Sequence, residues 1–201
     1  MTWAATLEAY DQAATWFVRT VPAAKDRWED HALGEWNVRD LVGHTSRALS
    51  TVEAYLRNPA AAIEVASTVE YFVLSSTVDP AAIAQRGRES AAALGDDPVG
   101  SVAALAERVI GQLRDAGEDD LITTPVGGMR LVDYLPTRTF ELTVHTCDLA
   151  AALGLTVDVP EAAASESLSV LTRLAVRTGQ AAPLLVAATG RRGLPDGFTV
   201  L

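Results

Sequence analysis

Apolar residues recur at intervals of three and four along most of the chain, and this helical period restricts the fold more than any other feature of the sequence. Alanine, which loses no side-chain entropy in a helix, is abundant throughout. We therefore expect an all-α fold. With 201 residues the chain has the length of about one domain and can bury one sizeable core.

The helical segments carry recognisable start and stop signals. Thr2 is suited to the N-cap of a first helix that reaches about Arg19, shortly before Pro22. Asn37 is suited to the N-cap of a second helix over Val38 to Tyr55. Further helices are predicted over residues 80–94, 101–116, 132–153 and 160–177, and the last two are followed by the helix-ending residues Gly154 and Gly179.

Three segments do not follow the helical period. The sequence S-S-T-V-D-P predicts a turn before the helix that begins at Pro80, and T-T-P-V-G-G-M predicts a loop. Near the C-terminus, Leu184–Ala188 and Phe198–Leu201 are short apolar runs separated by Gly and Pro. These two runs predict a small β-hairpin appendage.

Composition and charge exclude several classes of protein. No apolar run approaches the roughly 20 residues of a membrane span, and the N-terminus lacks the basic and apolar segments of a secretory signal. The single Cys147 excludes an internal disulfide, so we expect a cytoplasmic protein. The net charge of −10 would repel a phosphate backbone, and we therefore expect no nucleic-acid partner.

The segment F-E-L-T-V-H-T-C-D places Glu141 four residues before His145 in a predicted helix. Residues four apart lie on one helix face, so their side chains can offer an oxygen and a nitrogen to the same metal ion. The same spacing relates Asp40 to His44, but Asp40 lies three residues after Asn37 and is suited to a capping role. The candidate ligands are therefore His44, Glu141 and His145. The spacing permits a metal site without requiring one, and for His44 a hydrogen-bonded, half-buried histidine is the alternative.

Two other polar residues of the same predicted helix, Asp148 and Tyr134, lie near the candidate ligands. Asp148 follows His145 by three residues and would either orient its imidazole or pair with Arg138 or Arg47. Tyr134 lies on the same helical stripe as Glu141.

Two residues with reactive side chains are not expected to belong to the site. Cys147 faces another side of the helix and reads as a small core residue, so we exclude it as a nucleophile. His31 lies in a polar linker and reads as solvated.

Three stretches together resemble the mycothiol-dependent maleylpyruvate isomerase family, within the DinB-like metalloenzymes. They are L-G-E-W-N-V-R-D-L-V-G-H-T, R-T-F-E-L-T-V-H-T-C-D-L-A-A-A-L-G and A-A-T-G-R-R-G-L-P-D-G-F-T-V-L. The ordered pair of elements W-x-V-x-D-L-x-x-H and E-x-x-x-H-x-x-D-L-A is more specific than either alone. The resemblance implies an up-down-down-up four-helix bundle with a divalent metal held by His44, Glu141 and His145.

The resemblance also implies a division of the chain. Residues 1–155 would form the metal-binding bundle, and residues 156–201 would form a short C-terminal helix with the hairpin, packed on the bundle. Any substrate contacts that a full C-terminal domain would make are then in doubt. The segment R-G-R-E, with Arg86 and Arg88, is a candidate for binding substrate, but no role is assigned to either arginine.

The function that the resemblance implies is a metal-dependent enzyme that activates a low-molecular-weight thiol, mycothiol, for transfer to an electrophilic small molecule or for its isomerisation. Zinc suits two imidazoles and a carboxylate, while nickel and cobalt accept the same ligands. The assembly that we expect is a homodimer. Two alternatives remain open: a non-catalytic bundle that binds a small ligand or a protein, and a metal-dependent hydrolase that activates water.

Overall fold

The computed structural model describes residues 2–76 and 80–201, and these residues are mostly helical. The helices are α1 (Trp3–Thr20), α2 (Val38–Leu56), α3 (Thr68–Ser75), α4 (Pro80–Ala93), α5 (Pro98–Asp115), α6 (Leu131–Ala152), α7 (Glu161–Arg177) and α8 (Ala181–Ala188). The strands are β1 (His31–Leu33), β2 (Trp36–Asn37), β3 (Leu121–Thr124) and β4 (Gly127–Arg130), which form two separate antiparallel hairpins. The all-α class with small β additions is confirmed.

Four of these helices, α1, α2, α5 and α6, pack against one another as a bundle. Arg27, just beyond α1, donates hydrogen bonds to the carbonyls of Ala152 and Leu153 at the end of α6, so α1 and α6 run parallel. Tyr134 at the start of α6 donates to Thr51 near the end of α2, so these two helices are antiparallel.

The remaining direction follows from contacts between α2 and α5. Arg39 at the start of α2 donates to the carbonyl of Gly95 just before α5, and Glu53 near the end of α2 pairs with Arg108 of α5. Helices α2 and α5 are therefore parallel. The order up-down-down-up that the resemblance implies is confirmed.

The signals at the helix ends are largely those that the sequence contains. The Asn37 side-chain oxygen accepts the backbone N–H of Asp40 at 2.8 Å, and Gly154 and Gly179 have the left-handed φ values of 67° and 77°. Pro136 lies inside α6, five residues after the helix begins at Leu131. Proline has no backbone N–H, so α6 lacks one intrahelical hydrogen bond at Pro136, and packing in the bundle compensates for this loss.

The predicted C-terminal hairpin is wrong. Leu184–Ala188 belongs to helix α8, and residues 198–201 form no strand. Alanine and leucine favour helix over eight consecutive residues, and Pro183 lies in the first turn, where its missing N–H has no intrahelical acceptor. Val200 instead packs into a second core cluster around Phe140, α3 and α7.

Both observed hairpins lie where none was predicted. The first precedes α2, and the second occupies the segment predicted as a loop, with strands joined through Pro125 and Val126. Each strand has only two to four residues, too few for a clear alternating pattern. Contacts from elsewhere stabilise the second hairpin, since the backbone N–H of Glu64 and of Val65 donate to the carbonyl of Gly128. The turn predicted from S-S-T-V-D-P falls largely on residues 77–79, outside the described residues.

Helix α7 covers α1 and α6 on the outside of the bundle, and α8 packs on α7. Within the described ranges, no helix combines the length and the apolar character needed to cross a membrane.

Helix α4 lies directly against α2, and a close approach of the two backbones fixes its position. Gly43 of α2 is buried, and a Cβ atom added there would lie 2.5 Å from the Cα and 2.6 Å from the Cβ of Ala91 in α4. Only glycine allows this separation. Because His44 is the next residue, the contact also determines what covers the candidate site.

We expect Gly43→Ala to force α4 away from α2 and to lower the free energy of unfolding by about 1–3 kcal/mol, as overpacking of a core does. Gly111→Ala is the matched control, since Gly111 is an exposed residue of α5 with no heavy atom within 4 Å of the added carbon. The control should raise stability by up to about 1 kcal/mol through helix propensity. Urea denaturation measures both, and equal stabilities for Gly43→Ala and the original protein would contradict the packing described.

Candidate metal centre

The three candidate ligands come together between α2 and α6. His44 Nε2 lies 3.9 Å from Glu141 Oε2, and His145 Nε2 lies 3.5 Å from the same oxygen. One potential ligand atom from each residue lies within 4.8 Å of the other two. Two imidazole nitrogens and one carboxylate oxygen therefore surround a common point.

The antiparallel packing of α2 and α6 produces this arrangement. Glu141 and His145 are one turn apart on α6, and His44 faces them from the first half of α2. Their side chains are 14% exposed for His44, 23% for Glu141 and 17% for His145. The site is therefore sheltered but not fully buried.

Asp148 contacts His145 and forms no salt bridge with Arg138 or Arg47. The Nδ1 atom of His145 lies 3.0 Å from Asp148 Oδ2, so an Nδ1–H donates to the carboxylate and the Nε2 atom faces Glu141. This is the usual way in which a protein orients a metal-binding imidazole. Of the two interpretations of Asp148, its contacts match the orienting one.

The ring of Trp36 covers His44. This contact was not predicted from the sequence. The ring centroid of Trp36 lies 4.3 Å from that of His44 and 6.4 Å from that of His145. Gly87 of α4 packs on this tryptophan, since a Cβ at Gly87 would lie 3.3 Å from the Trp36 ring and 3.5 Å from the His44 Cβ. The signal in the sequence is the element W-x-V-x-D-L-x-x-H, which begins at Trp36 and ends at His44.

The charges of the three groups are strongly coupled. Burial acts to raise the pKa of Glu141, but the contacts with the His145 and His44 imidazoles and the positive charge of Arg138 hold it well below its usual range. Burial lowers the pKa of His44 and, together with the nearby charges of His145 and Arg47, outweighs the contact with Glu141, which raises it. Glu141 is thus an anion and His44 a neutral imidazole at neutral pH.

The donor set fits a divalent metal ion. Two neutral-capable imidazoles and a carboxylate are the common ligands of zinc and of related ions. One orienting hydrogen bond is missing, because Nδ1 of His44 is buried without a partner among the described residues. Stacking against Trp36 holds the His44 ring instead.

Three other residues that the sequence analysis considered, His31, Cys147 and Tyr134, lie outside the group of candidate ligands. His31 is exposed and its Nε2 contacts the carbonyl of Gly34, as expected for a residue in a polar linker. Cys147 is half-buried rather than part of the core, and burial raises the pKa of its thiol. Tyr134 is buried and donates a hydrogen bond to Thr51, so it lies on the stripe of Glu141 outside the group of three candidate ligands.

We expect His145 to be protonated at pH 7 in the metal-free protein. Burial opposes this charge, but the hydrogen bond to Asp148 and the ion pair with Glu141 outweigh it and raise the pKa of His145 to about 9. This pKa lies above the value of about 6.5 in an unfolded chain. The interactions of protonated His145 with Asp148 and Glu141 therefore stabilise the native state fully below about pH 6.5, and this stabilisation is lost as the pH rises through about 9.

An NMR titration of the metal-free protein measures this directly. Asp148→Asn should lower the pKa of His145, whereas the resonances of His31 should be unaffected by the substitution. A His145 pKa below 6.5 in the original protein, or one unchanged in the variant, would contradict the hydrogen-bonded pair.

Comparison with known proteins agrees with this geometry. The family model described as the mycothiol maleylpyruvate isomerase N-terminal domain matches residues 7–150, which include all of α2 and nearly all of α6. No curated protein and no solved structure matches the chain. Because the family match spans more than half of the chain and contains all three clustered side chains, the chain belongs to the mycothiol maleylpyruvate isomerase N-terminal domain family.

Proposed function

We propose that this protein is a metal-dependent enzyme that activates a low-molecular-weight thiol, mycothiol, and adds it to an electrophilic small molecule. The observation that carries the proposal is the convergence of His44, Glu141 and His145 in a chain of this family. We assign these three residues as the metal ligands. Three protein ligands leave at least one position open, as in catalytic rather than structural sites.

The bound ion would supply Lewis acidity that lowers the pKa of an incoming thiol. A thiol with a pKa of about 8.5 is only about 3% ionised at pH 7. Complete ionisation therefore increases the concentration of the nucleophilic thiolate about 30-fold, which corresponds to a free energy of about 2 kcal/mol. Holding thiolate and electrophile together contributes more, up to about 7–11 kcal/mol in favourable cases. The shape of the site therefore matters as much as its ligands.

The chain's own residues have separate roles in this proposal. Asp148 keeps the proton of His145 on Nδ1, which leaves Nε2 free to bind the ion. The ring of Trp36 lies over His44 and excludes water from that side. The positive charge of Arg138 helps to keep Glu141 ionised.

Two outcomes of thiol addition fit the proposal. In an isomerisation, a carbon–sulfur bond forms at a double bond, rotation follows, and the same carbon–sulfur bond breaks to return the thiol. In a conjugation, the carbon–sulfur bond forms and a leaving group such as chloride departs. The partners are thus a thiol and a small electrophile, and we propose no nucleic-acid partner.

Zinc is the first metal to test, since two imidazoles and a carboxylate suit it, and nickel or cobalt would bind to the same residues. We propose the bundle of residues 1–155 as the catalytic unit, with residues 156–201 as a short addition packed on it.

The proposal predicts that turnover depends on both metal and thiol. Zinc-loaded protein is mixed with maleylpyruvate, to detect isomerisation, or with a chlorinated aromatic, to detect conjugation, each with and without mycothiol. His145→Ala should reduce the thiol-dependent rate by more than the about 10- to 100-fold typical of changes outside the ligand set. The exposed His31→Ala serves as the matched control and should leave the rate unchanged.

The outcomes separate the alternatives. Turnover that is equally fast without thiol would contradict thiol activation and favour a hydrolase. The absence of thiol-dependent turnover with both electrophiles would contradict the proposal.

A further inference from the structure

Three arginines gather beside the metal centre although the chain as a whole is strongly acidic. Arg47 is on α2, three residues after His44, and Arg138 is on α6, three residues before Glu141. A separation of three residues is about one helical turn, so both arginines lie one turn along from a ligand, on helices that face each other. Arg86 lies on α4, the helix that covers the site.

The interactions among these groups place them around one region. Burial, followed by the positive charge of Arg86 and more weakly that of Arg138, lowers the pKa of Arg47. Arg47 also contacts α4 through Ser90, with 3.5 Å between its Nη1 atom and the Ser90 Oγ. Arg86 lies four residues before Ser90, one turn along the same face of α4, so it lies on the side of α4 that Arg47 contacts, and each of the three arginines is half-buried.

No acidic side chain among the described residues forms a salt bridge with Arg47, Arg86 or Arg138. Glu141 is the carboxylate whose negative charge acts on Arg138, and it already lies between two imidazoles. Half-buried like charges without a counter-ion are unfavourable. Such an arrangement becomes favourable when an anion occupies the space between them.

Arg138 is held in place before any ligand arrives. Its guanidinium carbon lies 5.4 Å from the ring centroid of Tyr71 and 5.2 Å from that of Tyr134, and its Nε donates to Thr137 at 2.9 Å. Cation–π contacts of this kind orient the group without neutralising its charge. Arginine presents a planar set of donors that matches the two oxygens of a carboxylate.

We propose that Arg47, Arg86 and Arg138 form an anion subsite beside the metal centre, which binds a carboxylate group of the electrophilic co-substrate. The role of the bound anion as a co-substrate rests on the proposed function, but the binding itself does not. The subsite positions the electrophile about one helical turn from the ligands. An electrophile without an acidic group would lack this contact and would bind more weakly.

Succinate is the probe, measured by isothermal titration calorimetry, with its uncharged diamide and inorganic phosphate as comparison ligands. We expect succinate to bind, the diamide to bind at least about tenfold more weakly, and the affinity for succinate to fall with increasing salt. Phosphate binding more tightly than succinate would overturn the assignment to a carboxylate.

The variants test the residues. Arg47→Gln should weaken succinate binding by at least about tenfold, and Arg47→Lys should retain part of the affinity because it keeps the charge. Arg88→Gln is the matched control, since Arg88 is an exposed arginine of α4 that contacts Gln85 of its own helix. Equal affinities for Arg47→Gln and Arg88→Gln would overturn the subsite.

A carboxylate could also bind to the metal itself, so the titration is repeated with His145→Ala protein. Succinate binding that persists in this variant and is lost on adding Arg47→Gln supports the subsite whether or not the proposed enzyme activity is found. Succinate binding that disappears with His145→Ala alone would overturn the subsite and assign the probe to the metal. Thermal unfolding of each variant verifies that it is folded.

Discussion

The contact between α2 and α6 is the constraint on which the rest of the site depends. Glu141 is a sheltered carboxylate between two imidazoles, and neither helix alone supplies both of them. Withdrawing a carboxylate from water is unfavourable unless positive charge or hydrogen bonds compensate it, and His145, His44 and Arg138 do so here. The bundle thus keeps a charged group ready for a ligand at a modest electrostatic cost.

Around this contact, α4 acts as a cover whose position is set by small residues. Gly43 lets α4 approach α2, and Gly87 lets it approach Trp36. The same helix brings Arg86 to the side of the site where Arg47 and Arg138 already lie. An aromatic ring and three arginines therefore lie near the same cluster of side chains.

Local sequence patterns were sufficient for some of this structure and insufficient for the rest. The spacing of Glu141 and His145 follows from the helical period, and their juxtaposition with His44 required a resemblance over two helices because no local pattern relates positions about 100 residues apart. The grouping of Arg47, Arg86 and Arg138 depends on how α4 packs, which the sequence does not encode locally. The C-terminal segment was predicted wrongly because its short apolar runs fit helix and strand equally well, and the propensity of alanine and leucine decided for helix in α8.

The central claim is that the three side chains hold one metal ion, and anomalous diffraction from crystals of the zinc-loaded protein at the zinc absorption edge tests it most directly. We expect a single strong anomalous peak about 2.0–2.2 Å from ligand atoms of His44, Glu141 and His145. A peak elsewhere, or no peak while the two histidines remain in contact with Glu141, would contradict the claim.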